Sequence, residues 1–183
     1  MCRHIQAERI AGPALPAGAL PDLARPVYSI NLSGLSLNNE GMLGHITTQF
    51  ELYGIDPCMI CFEITETAVI ANLGKAQQFI ASLRVLGCRF SLDDFGSGLS
   101  SFAYLRSLKV DYLKIDGVFV RDIASNDVNQ AVVRAINEIG HVMGMQTVAE
   151  FVETRATLDL VREIGIDYAQ GYALGPLRPL LLV

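Results

Sequence analysis

The chain has 183 residues, a formal net charge of −5 and 51% hydrophobic residues. This length allows one well-packed core and is short for two domains, and the apolar content excludes an intrinsically disordered chain. The acidic balance argues against a DNA or RNA polymer as partner, because such a protein presents a basic face to the phosphate backbone. It leaves a small anionic ligand held through metal ions as an option. We see no targeting signal and no apolar run as long as a membrane span, so we predict a cytoplasmic protein.

Residues 1–25 carry closely spaced Pro and Gly without a periodic apolar pattern, which is typical of a poorly specified lead-in. We therefore place the folded domain at residues 26–183. Strand-like and helix-like patterns alternate along this domain, which favours a parallel sheet covered by helices. The predicted strands are Val27–Leu32, Met59–Glu63, Arg89–Asp94, Val110–Ile115, Met145–Glu150 and Ile166–Gln170. The clearest helical patterns cover Met42–Tyr53, Ala76–Leu86 and Asn126–Met143, the last with an apolar stripe formed by Val128, Val132, Ile136, Ile139 and Val142.

Cys58 and Cys61 have the spacing of a redox or zinc pair, but they lie in an apolar, strand-like run. Residues three apart on a strand point to opposite faces, and no second Cys/His pair answers them. We interpret them, together with Cys2 and Cys88, as core thiols of a protein in a reducing compartment.

Two adjacent carboxylates, Asp93 and Asp94, end the third predicted strand and are followed directly by the Gly-rich stretch 96–98. Adjacent like charges repel, and at the end of a buried strand they also lose solvation, so a cation is expected to neutralise them. Hard oxygen ligands beside a flexible loop favour Mg2+ or Mn2+. The alternative is a strand-ending Asp followed by a helix N-cap.

Other polar residues also fall where strands end. In a β/α barrel the carboxyl ends of the strands meet on one face, where the active site is built. A parallel strand buried on both sides has no structural use for so many polar groups. Carboxylates, an amide oxygen and a lysine are the groups that a two-metal phosphoryl-transfer site uses. The set comprises Asn31, Glu63, Asp93, Asp94, Lys114, Glu150 and Gln170.

Five motifs in order resemble the EAL-domain family, whose active members are cyclic di-GMP phosphodiesterases. The motifs are Phe62-Glu-Ile-Thr-Glu66, Leu92-Asp-Asp-Phe-Gly-Ser-Gly-Leu-Ser-Ser101, Tyr112-Leu-Lys-Ile-Asp116, Val148-Ala-Glu-Phe-Val-Glu153 and Tyr168-Ala-Gln-Gly171. The resemblance covers nearly everything from Val27 to Pro179 and implies a TIM-like (β/α)8 barrel of the EAL type.

The resemblance also implies roles for individual residues. It makes Asn31, Glu63 and Asp93 metal ligands, Asp93 bridging two Mg2+ or Mn2+ ions, with Asp94 serving the second ion. Lys114 would hold the attacking water or the phosphate. The remaining members of the implied site are Glu150 as a further catalytic and metal-binding carboxylate, Gln170 as the site amide, Glu66 as the tether of the loop after the aspartates, and Phe95, Gly96, Ser97 and Gly98 in that loop.

Some of these residues have simpler interpretations. Asn31 before Leu-Ser-Gly could make a turn, and Glu66 could be a charge favoured at a helix N-terminus. Lys114 and Asp116 could form a surface pair, and Gln170 could start a plain loop. It is improbable that all of these simpler interpretations are correct at once for motifs that occur in this order.

The sequence departs from the family in two respects. Phe151 stands where the family often has Gly, a change expected to affect packing near Glu150. The Glu-Ala-Leu motif, whose Glu is a metal ligand in the family, is absent, and we expect an N-terminally truncated domain. About six of the eight barrel strands are then present, so the sheet should keep unpaired edges. Glu8 is not followed by Ala-Leu and is predicted to lie outside any strand.

The function implied by the resemblance is metal-dependent hydrolysis of cyclic di-GMP to the linear dinucleotide pGpG. Two alternatives stay open: a module that binds cyclic di-GMP without hydrolysis, and an inactive fragment of a longer signalling protein. A structural barrel remnant is a third, weaker alternative. The resemblance further suggests a homodimer through the helix at 126–143, and a sensory or cyclase domain N-terminal to this one.

Overall fold

The computed structural model describes residues 8–10, 27–97 and 102–175, which form one sheet with helices packed on it. The strands are β1 (Glu8–Arg9), β2 (Tyr28–Leu32), β3 (Ile60–Thr65), β4 (Arg89–Phe95), β5 (Tyr112–Ile115), β6 (Gln146–Ala149) and β7 (Tyr168–Ala169). The helices are α1 (Gly34–Asn38), α2 (Met42–Tyr53), α3 (Glu66–Ala71), α4 (Leu73–Arg84), α5 (Phe102–Leu105), α6 (Gly117–Val120), α7 (Asp127–Val142) and α8 (Arg155–Ile164). Short 3-10 turns occupy Pro57–Met59 and Tyr172–Leu174.

Strands β2 to β7 are parallel, and each pairs with its neighbour in sequence, with helices in the connections. The prediction of six parallel strands is therefore confirmed. Within the described ranges β2 and β1 end the sheet on opposite sides and do not pair with each other. The fold is an incomplete α/β barrel of the kind that the resemblance implied. In these same ranges no helix is both long and apolar enough to cross a membrane.

The two faces of the sheet differ in chemistry because neighbouring residues of a strand point to opposite sides. Phe90 and Leu113 lie on the outer face, are fully buried and meet the helices there. The Phe79 ring of α4 packs edge-on against Phe90, and Gly140 of α7 lies close to Leu113. The inner face carries polar side chains such as Glu63 and Lys114. The hydrophobic core thus lies between sheet and helices, which leaves the inner face for chemistry.

Strand β1 corrects one expectation from the sequence. Glu8 was predicted to lie outside any strand, but Glu8 and Arg9 pair antiparallel with Ala169 and Tyr168 of β7. The next residue, Ile10, donates its amide to the Asp167 carbonyl at 2.8 Å. A strand of two residues is too short for an apolar alternation to mark it in the sequence.

The buried face of α7 also differs from the predicted stripe. Val128 and Val142 are 70% and 82% exposed, and of the predicted stripe only Ile136 is fully buried. The buried residues are Val133, Ile136, Asn137 and Gly140. Asn137 can be buried because its amide is paired: it accepts from the Thr147 hydroxyl and donates to the Ile164 carbonyl.

The cysteines follow the predicted burial only in part. Cys61 and Cys88 are buried, as expected of core thiols, but Cys58 is exposed. It lies in the 3-10 turn before β3, where the chain has not yet entered the sheet. Cys2 lies outside the described residues.

Phe151 has an unusual backbone, with φ of 52°, a region that L-residues other than Gly rarely adopt. Its ring lies against Gly117, the first residue of α6, where an added Cβ would come within 2.1 Å of the ring. The Arg121 guanidinium stacks 4.2 Å from the ring centroid. The aromatic side chain beside Glu150 is therefore accommodated because position 117 has no side chain.

We expect Gly117→Ala to lower the free energy of unfolding by about 1–3 kcal/mol, because the new methyl group collides with the Phe151 ring. Gly74→Ala in α4 is the control, since an added Cβ there meets nothing within 4 Å. It should be neutral or stabilising by up to ~1 kcal/mol. Urea denaturation followed by circular dichroism measures both. Introducing Gly117→Ala into a Phe151→Ala chain should remove most of the penalty, and an equal penalty in both backgrounds would contradict this explanation.

Candidate active site

Strand register places the predicted polar residues on the inner face of the sheet. Asn31 of β2 is aligned with Glu63 of β3, which is aligned with Ser91 of β4. Because every second residue shares a face, Asp93 lies on the same side as Ser91. Tyr112 of β5 is aligned with Ser91, so Lys114, two residues further on, lies on this side as well. Val148 of β6 is aligned with Lys114, which places Glu150 there. Tyr168 of β7 is aligned with Val148, which places Gln170 there.

A β-bulge explains how two consecutive aspartates reach one site. Leu92 is aligned with Leu113 of β5, but Ile115 is aligned with Phe95 rather than with Asp94. One extra residue is therefore inserted in β4, and Asp94 takes up the irregularity with φ of 56°. Phe95 returns to the outer face and is fully buried. A carboxylate oxygen of Asp94 consequently lies within 4.8 Å of carboxylate oxygens of Asp93 and Glu150.

Lys114 lies at the centre of the cluster, and its side chain is almost completely buried. Its Nζ is 2.7 Å from Glu150 Oε1, 2.8 Å from Asp93 Oδ1 and 3.4 Å from Glu63 Oε2. Burial alone would lower the pKa of this ammonium, but the three carboxylates outweigh burial and raise it. Lys114 is thus a permanent cation, and the alternative of a surface pair with Asp116 is wrong. Asp116 instead caps α6 by accepting from the Val118 amide.

One lysine faces four nearby carboxylates, and two of these carboxylates, Asp94 and Glu150, have raised pKa values. The pKa of Glu150 is raised to about 7. Burial is the largest cause and the Asp93 charge acts in the same direction, while the Lys114 charge lowers the pKa. Burial also raises the pKa of Asp94, with the Asp93 and Asp116 charges acting in the same direction. The site therefore has a surplus of negative charge that a cation would relieve.

The donor set fits a divalent metal. Asp93, Asp94 and Glu150 each offer a carboxylate oxygen within a space that one ion can bridge. Hard oxygen donors suit Mg2+ and Mn2+ better than soft thiolate-binding metals. Burial raises the pKa of both Asp94 and Glu150, with the Asp93 charge acting in the same direction, so a cation among these oxygens would favour their charged forms. Asn31 is exposed at the same edge, so its amide is accessible from solvent.

Gln170 is placed by backbone bonds on both sides. Its amide donates to the Ala149 carbonyl at 2.9 Å, and its carbonyl accepts from the Val152 amide at 3.0 Å. Its side-chain Oε1 is buried and has no hydrogen-bond partner among the described residues. A buried acceptor of this kind is costly without a donor or cation, so this side chain suits a ligand contact better than the start of a plain loop.

Glu66 holds the chain that follows the aspartates. It is the first residue of α3, directly after the N-cap Thr65, and it is 2% exposed. One carboxylate oxygen accepts from the Gly96 amide at 3.2 Å. Ser97 donates its hydroxyl to the Asp94 carbonyl at 3.0 Å, which also tightens this turn. Gly98, also predicted as a loop residue of the site, lies outside the described residues.

Two residues near the site, Tyr104 and Arg121, were not predicted from the sequence. Tyr104 donates to the second oxygen of Glu66 over a separation of 38 residues, and Arg121 stacks on Phe151 beside Glu150. Both contacts join residues far apart in the chain, so neither spacing nor periodicity indicates them.

Fold and site together define an incomplete α/β barrel with a carboxylate–lysine cluster where its strands end. The sequence model of the EAL domain matches residues 17–176, so the chain belongs to the EAL domain family, which confirms the resemblance. The "Cyclic di-GMP phosphodiesterase PdeB" of Shewanella oneidensis is 51% identical over 152 residues, or 83% of this chain. The chain spans only 18% of that relative, so PdeB is a far longer protein.

Solved structures with the same fold include complexes. The PaMucR phosphodiesterase in complex with c-di-GMP has a TM-score of 0.79 at 30% identity, over 83% of this chain and 62% of that one. The FimX EAL domain of Xanthomonas citri in complex with c-diGMP also has a TM-score of 0.79 at 30% identity, over 86% and 62%. Both neighbours are similar to this chain over most of its length.

The Glu150 shift predicts a pH dependence of stability in metal-free buffer. Between pH about 4.5 and about 7 the folded chain keeps a proton that the unfolded chain has lost. This contribution is therefore full below pH about 4.5 and is lost as pH rises through about 7. In Glu150→Gln the free energy of unfolding should fall by about 2–3 kcal/mol less as the pH rises, measured by denaturation curves at each pH. The exposed Glu51→Gln serves as control; an unchanged profile in Glu150→Gln would contradict the shift.

Asp93→Asn should weaken Mn2+ binding at least ~10-fold while changing the free energy of unfolding by less than ~1 kcal/mol. In the unaltered chain the Asp94 backbone amide donates to Asp93 Oδ1 at 3.2 Å. The Asn side chain removes the negative charge but keeps an oxygen that can accept this hydrogen bond. Calorimetric titration and thermal melts give both quantities. Asp122→Asn, at an exposed position, is the control. A large loss of stability with unchanged Mn2+ affinity would mark Asp93 as structural.

Proposed function

We propose that this chain is the catalytic region of a cyclic di-GMP phosphodiesterase, which hydrolyses one phosphodiester bond to give linear pGpG. The observation that carries the proposal is the buried Lys114 ammonium at 2.7 and 2.8 Å from Glu150 and Asp93, with Asp94 beside them. Positive charge close to oxygen donors is what a phosphodiester and an attacking water need. The relative's printed name and the ligands of the two complexes support the choice of substrate.

In this proposal Mg2+ or Mn2+ would be held by the carboxylates of Glu63, Asp93, Asp94 and Glu150 together with the Asn31 amide. A bound divalent ion supplies an activated water and neutralises charge on the phosphate. Lys114 orients the water or a phosphate oxygen through its Nζ. Glu66 and Gly96 keep Asp94 in place, and Gln170 offers an acceptor to the ligand.

The second candidate is a module that binds cyclic di-GMP without hydrolysing it. The observation that favours it is the likeness to the FimX EAL domain of Xanthomonas citri, whose structure is a complex with c-diGMP. Most of the polar groups on the inner face would still be available for binding. The two candidates differ in turnover and not in affinity.

We also propose that residues 26–183 form the EAL-like unit, that further signalling domains accompany it in the whole protein, and that the whole protein acts in the cytoplasm. The curated relatives are much longer, since the chain spans 18% and 22% of two of them. Exposed Val128 and Val142 on α7 support a homodimer contact there. Sedimentation of Val142→Lys against the unaltered chain tests that contact.

Incubation with cyclic di-GMP and Mn2+, followed by chromatography, should show pGpG from the unaltered chain. Lys114→Met should reduce the rate by at least ~100-fold, because it removes the cation next to the phosphate. Lys75→Met on α4, at an exposed position, is the control and should retain full activity.

Calorimetry on the same samples separates the candidates. Binding of cyclic di-GMP without pGpG would overturn hydrolysis and favour the binding module. Neither binding nor product would overturn both.

A further inference from the structure

Tyr104 stands outside every role described for the cluster, yet it contacts a buried charge. It lies in α5, and its hydroxyl donates to Glu66 Oε1 at 2.5 Å. Glu66 is 2% exposed, so its carboxylate needs donors to replace the water it has lost. A hydroxyl bonded to a buried carboxylate makes one of the stronger kinds of hydrogen bond.

The other oxygen of the same carboxylate determines where the Asp93–Asp94 segment ends. Glu66 Oε2 accepts from the Gly96 amide, two residues beyond Asp94. Gly96 has φ of 101°, and an added Cβ would lie 2.9 Å from the Phe119 ring. The backbone directly after the bulge is therefore held by Glu66 through a hydrogen bond and confined by Phe119.

We propose that Tyr104 is a positioning residue: its hydroxyl orients the Glu66 carboxylate, which holds the Gly96 amide and so fixes Asp93 and Asp94 for metal binding. This rests on the proposed function, because it assigns Tyr104 to the metal site of that reaction. Tyr104 acts through Glu66 and Gly96.

The chemistry of the pair supports this direction of action. Burial raises the pKa of Tyr104, and the hydrogen bond to Glu66 and the Glu66 charge raise it further. The hydroxyl therefore keeps its proton throughout the neutral range and remains a donor. A carboxylate that loses one of its donors in a buried site reorients or takes up a proton, and either change weakens its hold on Gly96.

The test uses Tyr104→Phe, which removes only the hydroxyl, and Glu66→Gln, which removes the charge of the acceptor. Tyr53→Phe is the matched control, since Tyr53 is 68% exposed on α2. The first measurement is hydrogen exchange of the Gly96 amide by NMR in metal-free protein. We expect exchange about tenfold faster in Tyr104→Phe and in Glu66→Gln, and unchanged in the control.

The second measurement is the half-saturating Mn2+ concentration, expected to rise about tenfold in each single variant. The double variant should show no further rise, because both residues act through one link. Independent, additive effects of the two substitutions would overturn the proposal, as would unchanged Gly96 exchange or unchanged Mn2+ affinity in Tyr104→Phe. Glu66→Gln tests the link from the acceptor side and keeps the proposal falsifiable if Tyr104→Phe does not fold.

Exchange in metal-free protein separates this proposal from the proposed function. An unaltered chain that neither binds Mn2+ nor forms pGpG overturns the proposed function, and Tyr104 then has no metal site to position. A chain that binds Mn2+ and forms pGpG, but whose Gly96 exchange does not respond to Tyr104→Phe, overturns only the positioning role.

Discussion

The inner face of the sheet depends on one buried cation. Lys114 reaches carboxylates of β3, of β4 and of Glu150 directly after β6, which are far apart in the chain. Without it, several acids would lie in a region of poor solvation with nothing to offset their repulsion. With it, four carboxylates still share one ammonium, and burial raises the pKa of Glu150, with the Asp93 charge acting in the same direction. A cation bound among these oxygens would offset that remaining imbalance.

Around this cluster the support comes from the backbone as much as from side chains. Thr65 caps α3 and so places Glu66 in its first turn, below the Gly96 amide. Gln170 is tied to β6 through its own peptide groups. A site held at the strand ends by such links has little freedom to adjust, which suits a reaction that depends on the placement of charge.

The sequence predicted the parallel sheet and its polar edge because both follow from short-range rules: strand alternation and the position of acids after apolar runs. It did not predict β1, because two residues paired with β7 are too few to show an alternating pattern. Val128 and Val142 were predicted on the buried face of α7 because an asparagine normally marks the exposed face. Asn137 is buried instead, since its amide is hydrogen-bonded within the core. Tyr104 was not predicted because it is 38 residues from Glu66 in the chain and no sequence pattern links the two.

The extra residue in β4 has a further consequence. A regular strand would show only one of two successive aspartates to the interior and would turn the following aromatic ring inward. The inserted residue shifts the phase by one position, so Asp93 and Asp94 share one side while Phe95 stays in the core. The bulge is thereby as decisive as the residue types: the same residues in a regular strand would turn the Asp94 side chain towards the helices and the Phe95 ring into the site, with every acid kept.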